Sequence, residues 1–289
     1  MLALEELKSE LGINQELTEI VDALKVIAVT EFRELDERRK ERSSIFLDAF
    51  ERFFRLIDFS TVEHPYAKDT TGHLVLLMLT SDERFMGGLN KRIVDTALGY
   101  PGGDTAELVV MGTQGADYLR SLDRAYTTVT EVSSKKPYEA ALYLREYILG
   151  KGLEAELGRL VIVYPKPMSF LVQTVEALPI LPCTELLRLE KHERERRYEM
   201  LAPNEEVLIE SSLDDLLEYL MSTWIAEKLL EVLEDSRQAE LSAKAVRLEE
   251  SYQTLGDNRK KLMHQYHRVH HEVLDKGMRE TFSAQIMRR

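Results

Sequence analysis

From Leu213 to Met287 the chain contains no proline and only two glycines, Gly256 and Gly277. Within that stretch the positions 241, 245, 248, 252, 255, 259, 262, 266, 269 and 273 are spaced alternately by four and three. They hold Leu241, Ala245, Leu248, Tyr252, Leu255, Arg259, Leu262, Tyr266, Val269 and Val273. Only the arginine fails to bring apolar surface, so the spacing predicts the heptad seam of a coiled coil. Upstream, Leu213, Leu216, Leu217, Leu220, Met221, Trp224, Leu229, Val232 and Leu233 form a broader apolar stripe. Ser211 and Ser212 followed by Asp214 and Asp215 suit a helix start, where side-chain oxygens cap free amides and the dipole favours anions. An unbroken helix of this extent is about 110 Å long at about 1.5 Å per residue. No single compact domain needs one, so it is expected to reach a partner.

The proline and glycine distribution divides the rest. All eight prolines fall between Pro65 and Pro203, and eleven of the fourteen glycines between Gly72 and Gly158. Such punctuation marks compact, turn-rich structure. The chain therefore reads as a helical arm (1–58), a globular middle (59–210) and a second helical arm (211–289). The first arm carries Leu7, Leu11, Leu17, Ile20, Leu24 and Ile27, then Phe46, Phe50, Phe53 and Ile57. Between these, the charged stretch from Glu31 to Ser44 reads as a solvated helix face. Two arms of matching length around a folded domain pair most simply in antiparallel fashion. With Ile57 beside Leu213, Leu4 falls near Tyr266, and about the last twenty residues project as a single helix.

In the middle, residues 73–80 (HLVLLMLT), 107–112 (ELVVMG) and 159–165 (RLVIVYP) are short β-like runs. Helical patterns follow at 89–98, 115–122 and 137–150. Strands alternating with helices imply a largely parallel sheet covered on both faces. The fold class expected is α/β: a Rossmann-like domain inserted between two long helices that form an antiparallel coiled coil.

Composition narrows function. With 51 Asp+Glu against 38 Lys+Arg, the acidic balance argues against a general nucleic-acid binder. Cys183 is the sole cysteine, which rules out an internal disulfide and a cysteine metal cluster. No apolar run matches a membrane span, and the opening residues lack a signal-peptide pattern, so a soluble cytoplasmic chain is expected. The loop TSDERFMGGLN (80–90) joins a strand to a helix, and Gly87-Gly88 would let the backbone turn tightly or bring helix amides to an anion. Neither GxGxxG nor GxxxxGK[ST] occurs, so a structural turn is the reading adopted. His264, His267, His270 and His271 cluster on the last helix, and His267 and His271 could share a metal. No cysteine or carboxylate pair completes the set, and a solvated or partner-facing surface is preferred. No nucleophile elbow or acid–base pair is recognisable. No catalytic, cofactor-binding or metal-binding residue is assigned, and no cofactor is expected.

Taken together, these segments resemble the gamma subunit of F-type ATP synthases. LTSDERFMGGLN is similar to that family's SD-x-G-x-C-G-G-L-N signature through Ser81, Asp82, Gly87, Gly88, Leu89 and Asn90. Phe85 and Met86 stand for its leucine and cysteine, and Glu83-Arg84 for its usual Arg-Gly. ALKVIAVTEFREL (23–35) resembles A-M-K-M-V-A-A-S-K-x-R-x-A, and YEMLAPNEEVL (198–208) resembles Y-x-x-E-P-x-x-x-x-L-L. PILP (179–182) is similar to Q-L-L-P, and SRQAELSAKA (236–245) to S-E-x-x-A-R-M-x-A-M. The departures concentrate in the arms. Leu4 to Leu24 holds six acidic residues and only Lys8 as a base, where the family is basic. Leu241 and Ser242 replace an Arg-Met pair, and KLMHQYHRVHHEV replaces the family's R-Q-x-x-I-T-x-E-x-x-E-I.

The resemblance implies a divergent or alternative, non-catalytic rotor shaft. Its arms would enter the hexamer of alpha and beta subunits, and its foot would sit on the c-subunit ring with the epsilon subunit. The chain would then lie at the cytoplasmic face of the cell membrane as a peripheral part of the complex. Two other readings stand beside it: an α/β ligand-binding protein with oligomerisation arms, and a coiled-coil scaffold outside the ATPase.

Overall fold

The computed structural model describes residues 2–56, 72–84, 86–129, 136–153, 158–183 and 212–286. The family-like segment YEMLAPNEEVL (198–208) and the arm residue Ile57 lie outside them. Ten elements follow in order: α1 (Leu2–Leu56), β1 (Leu74–Leu79), α2 (Leu89–Leu98), β2 (Glu107–Met111), α3 (Thr113–Ser121), β3 (Thr127–Val129), α4 (Pro137–Leu153), β4 (Arg159–Pro167), β5 (Gln173–Leu181) and α5 (Leu213–Ile286).

The strands form one sheet in the order β3-β2-β1-β4-β5. The first four are parallel and β5 returns antiparallel on the edge, with Leu77 opposite Val109 on one side and Ile162 on the other. This is the Rossmann-like sheet the sequence implies, with two strands added to the three legible ones. β3 is only three residues long, too short for a pattern. β5 breaks apolar alternation with Glu176 and Pro179, and its edge position tolerates the missing proline donor.

β1 reads LVLLML with every residue buried, because both faces of the sheet are covered. Its side chains alternate between two cores. Leu74, Leu76 and Met78 meet Leu89, Ile93, Val94 and Ala97 of α2 and Ala116 and Leu119 of α3. Val75, Leu77 and Leu79 meet Ala140, Leu144 and Ile148 of α4 together with Leu217, Met221, Trp224, Ile225 and Leu229 of α5. The broad stripe at the start of α5 is therefore the cover of one sheet face, and its width matches a sheet rather than a single helix.

The chain separates into two compact units, one of Glu31–Ala243 and the other of Met1–Thr30 with Lys244–Arg289. Helices α1 and α5 contribute to both. Within the second unit the two helices run antiparallel. Asn14 Nδ2 donates to the Leu255 carbonyl at 3.3 Å, one residue from the register anticipated, which sets Asn14 beside Gly256. Lys25 Nζ bridges Asp22 (2.9 Å) and Glu249 (3.1 Å) and sits 4.5 Å from the Tyr252 ring centre. These partners raise its pKa, the Asp22 hydrogen bond most. Residues 271–283 are exposed on every side, as a single helix projecting past its partner would be.

The apolar residues of α1 do not all face α5. The row facing α5 is Leu4, Leu7, Leu11, Asn14, Thr18, Val21, Lys25 and Ala28. The more apolar row lies at the margin of the pair and is left largely in solvent: Ile13, Leu17, Ile20 and Ile27 are 55, 45, 56 and 52% exposed. Helix α1 thus has two rows at heptad spacing and buries the more polar one. Asn14 and Lys25 compensate by bonding to the facing helix. The seam of α5 is also buried unevenly: Leu241, Ala245 and Leu248 are enclosed, whereas Arg259 and Val273 are exposed.

Candidate functional site: a buried polar collar on the last helix

A surface helix is ordinarily wet along one side. Residues 235–242 of α5 are buried on all sides, although six of the eight are polar: Asp235, Ser236, Arg237, Gln238, Glu240 and Ser242. Each surrounding element reaches in with a polar partner. From α1, Glu31 Oε2 accepts from Arg237 Nη2 at 3.0 Å, and Asp36 Oδ1 accepts from Gln238 Nε2 at 3.1 Å. From the turn after β1, Glu83 Oε1 lies 4.0 Å from Arg237 Nη1. From the β4–β5 hairpin, the Phe170 carbonyl accepts from the Ser242 hydroxyl, while Gln173 Nε2 donates to Ser242 Oγ at 2.6 Å. The Phe170 ring also meets Phe32 of α1 edge to face, with centroids 5.0 Å apart.

Arg237 is the hub. Its guanidinium has five donors in a planar fork, and Glu240 Oε2 also accepts from it at 3.4 Å. Three carboxylates therefore share one cation. Burial raises the Glu240 carboxyl to a pKa of about 7, with Glu83 and Asp82 adding to the shift and Arg237 opposing it. Its second oxygen, Oε1, is buried without a hydrogen-bond partner among the described residues.

The GG loop proves to be a stitched turn. Ser81 N–H donates to Asn90 Oδ1 at 3.0 Å, and Glu83 N–H donates to Ser81 Oγ at 2.9 Å. Asp82 Oδ1 accepts from Thr113 N–H, the first amide of α3, at 2.9 Å, so that helix start is held by the chain's own carboxylate. Gly87 has φ +58° and open space around it. Sequence reading passed over more demanding positions nearby. Thr80 Oγ1 donates to the Met111 carbonyl at 2.7 Å and accepts from Gly115 N–H at 3.1 Å. A Cβ at Gly112 or Gly115 would stand 2.1 Å or 2.4 Å from Thr80 atoms.

The histidines stay at the surface. His270 stacks on Tyr266 with centroids 5.8 Å apart, and among the described residues no group of three or more His, Cys, Asp or Glu is placed to hold a metal. Cys183 is buried, and burial pushes its thiol up to about 12, so it is neither a ready nucleophile nor a metal ligand. An open groove of about 480 Å³ between α1 and α5 is lined by Ile13, Asn14, Leu17, Leu255, Lys261 and Leu262 among others. It has no convergent set of acid, base and nucleophile. Among the described residues, no helix is long and apolar enough to cross a membrane.

The described residues thus comprise an α/β unit in which a polar collar holds the early part of α5, and a second unit in which α1 and α5 pair antiparallel. Comparison with known proteins gives the family. The family model described as ATP synthase matches residues 3–283. The ATP synthase gamma chain of Halothermothrix orenii is 22% identical over 97% of both chains, and that of Geotalea daltonii is 24% identical over 75% of this chain and 74% of its own. Among solved structures, a chain of the Euglena gracilis mitochondrial ATP synthase OSCP/F1/c-ring assembly has the same fold. Its TM-score is 0.68 at 14% identity, over 98% of this chain and 93% of that one. A central stalk/c-ring chain from Tetrahymena thermophila aligns with TM-score 0.54 at 16% identity, over 80% of this chain and 99% of its own. The chain belongs to the ATP synthase gamma family.

Membership clarifies the collar. Glu83 stands where the motif that residues 80–90 resemble has Arg, and Arg237 where the motif that residues 236–245 resemble has Glu. The two departures, far apart in sequence, meet in space with their charges exchanged. The pairing is not visible in either motif alone.

Proposed function

We propose that this chain is the central shaft of an F-type rotary ATP synthase or ATPase, coupling ion flow through a membrane ring to ATP synthesis or hydrolysis in a head of alpha and beta subunits. The observation that carries it is the exposed row Ile13, Leu17, Ile20 and Ile27 on α1. Contiguous exposed aliphatic surface marks an interaction face, and here it runs along a paired helix as a bearing surface would. Family membership and the rotor assemblies in which its structural neighbours occur favour this reading over a free-standing scaffold.

In this reading the arms (1–58 and 211–289) act inside the head, with residues 213–243 also covering the sheet. The domain between them (59–210) rests on the c-subunit ring beside the epsilon subunit, at the cytoplasmic face of the cell membrane. The chain itself performs no chemistry; ATP and Mg²⁺ belong to neighbouring subunits. The test is reconstitution with cognate alpha and beta subunits. Assembly followed by ATP-driven rotation is expected, with no ATP turnover by this chain alone. Failure to assemble, or micromolar ATP binding to the isolated chain by calorimetry, would sink the proposal.

A further inference from the structure

We propose that the Glu240 carboxyl is a proton-binding site whose occupancy sets how firmly the turn after β1 is held against helix α5. Arg237 carries one positive charge and faces three carboxylates, Glu31 from α1, Glu83 from the turn and Glu240 from its own helix. Asp82, next to Glu83, adds a further negative charge felt at Glu240. Across the same helix, Asp36 of α1 is engaged by Gln238 and supplies no cation. Glu31, Glu83 and Glu240 thus outnumber the single guanidinium they share.

The Glu240 side chain is 2% exposed, and Oε1 has neither water access nor a hydrogen-bond donor among the described residues. An ionised carboxylate so placed is half unsolvated, which is costly, whereas the neutral acid tolerates it better. The proton is therefore retained toward neutrality, with burial the largest cause. Its loss puts a third full negative charge beside Arg237. Glu240 cannot leave, being fixed within a helix buried all round. Among the three carboxylates Glu83 lies farthest from Arg237, at 4.0 Å, its side chain is 23% exposed, and it sits on a turn. Deprotonation of Glu240 is thus relieved by Glu83 moving outward, which loosens residues 81–84.

The linkage has a definite sign. The folded-state pKa of about 7 lies above the ordinary value of 4.5. The stabilisation is then complete below the ordinary value, declines as pH rises through this window, and is gone above about 7. A shaft carrying this site would hold its turn tightly in acid and release it in alkali, whether or not it is assembled with partners.

The experiment uses the full-length chain. Carboxyl-carbon NMR of protein labelled at glutamate follows the titration of Glu240 directly. In parallel, trypsin cleavage after the exposed Arg84 is measured for wild type and Glu240→Gln at about pH 6 and about pH 8.5. Taking the wild-type rate relative to the variant at each pH cancels the protease's own pH dependence. Glu240 is expected to titrate within about one unit of 7. The relative cleavage rate should be close to one in acid and several-fold higher in alkali. Glu83→Gln, which leaves Glu240 in place, should lower the Glu240 midpoint by roughly half a unit. It keeps the test open should Glu240→Gln fail to fold. Titration of Glu240 with the ordinary carboxylates, a midpoint unmoved in Glu83→Gln, or a cleavage ratio independent of pH would each overturn the proposal.

Discussion

Gly112 holds φ +97°, and a Cβ built there would stand 2.1 Å from the Thr80 carbonyl oxygen. Gly115 has an ordinary backbone, yet its Cβ would fall 2.4 Å from Thr80 Oγ1. Gly87, the more conspicuous glycine in the sequence, has a positive φ but open space. These differences order the costs. Gly87→Ala meets only the left-handed backbone penalty, about 1–2 kcal/mol. Gly115→Ala must displace a packed threonine and break its hydrogen bond, about 1–3 kcal/mol. Gly112→Ala combines strained backbone with a clash against main chain and should lose about 4 kcal/mol or more. Urea denaturation of the three variants checks this, and Gly87→Ala emerging as the most costly would contradict the geometry. The signature motif pointed to the right neighbourhood. It could not rank the glycines, because the group that crowds Gly112 and Gly115 is Thr80 on a different strand end, brought close only when β1 and β2 pair.

The elements themselves were largely readable. Heptad spacing located the last helix, the absence of proline with recurring apolar residues located the first, and the apolar runs located β1, β2 and β4. What periodicity could not decide was which row of α1 is buried, since two rows share the same spacing and the drier one would be chosen on hydrophobicity alone. The structure buries the row in which Asn14 and Lys25 have partners on α5. The collar was likewise hidden, because SRQAEL looks like solvated helix until three other segments close around it. Burial separates the two ion-pair sites energetically. Lys25 and Glu249 are 23% and 46% exposed, so Lys25→Ala should cost only about 0–1 kcal/mol. Arg237 is 8% exposed and serves three carboxylates. Arg237→Ala strands those charges and should cost about 3–5 kcal/mol. Chemical denaturation of both variants at neutral pH measures the contrast, and equal effects would mean the collar is wetter than its geometry states.

For the molecule as a whole, charge and apolar surface make separable contributions to assembly. The segment from Gly256 to Arg289 has eight Lys+Arg against four Asp+Glu, whereas Leu4 to Leu24 is acidic. Exposed pairs between such stretches are worth little individually and act mainly on register and partner choice. Lys260 already pairs with Asp257 on its own helix, so Lys260→Ala and Lys261→Ala should leave assembly nearly intact. Leu262 lines the groove between α1 and α5, and Leu262→Asp should weaken the helix pair itself and with it coupling. Ile20 distinguishes a shaft from a scaffold more sharply. It is 56% exposed at the margin of the helix pair, so Ile20→Asp should change the stability of the isolated chain by no more than about 0.5 kcal/mol. Inside a close-fitting head, the same aspartate would be an unpaired buried charge, costing several kcal/mol. The expected result is a variant that melts like wild type but assembles poorly with cognate alpha and beta subunits, or assembles and rotates slowly under ATP. Wild-type assembly and rotation by Ile20→Asp would show that the exposed row of α1 is not a bearing surface, and the observation on which the shaft reading rests would be lost.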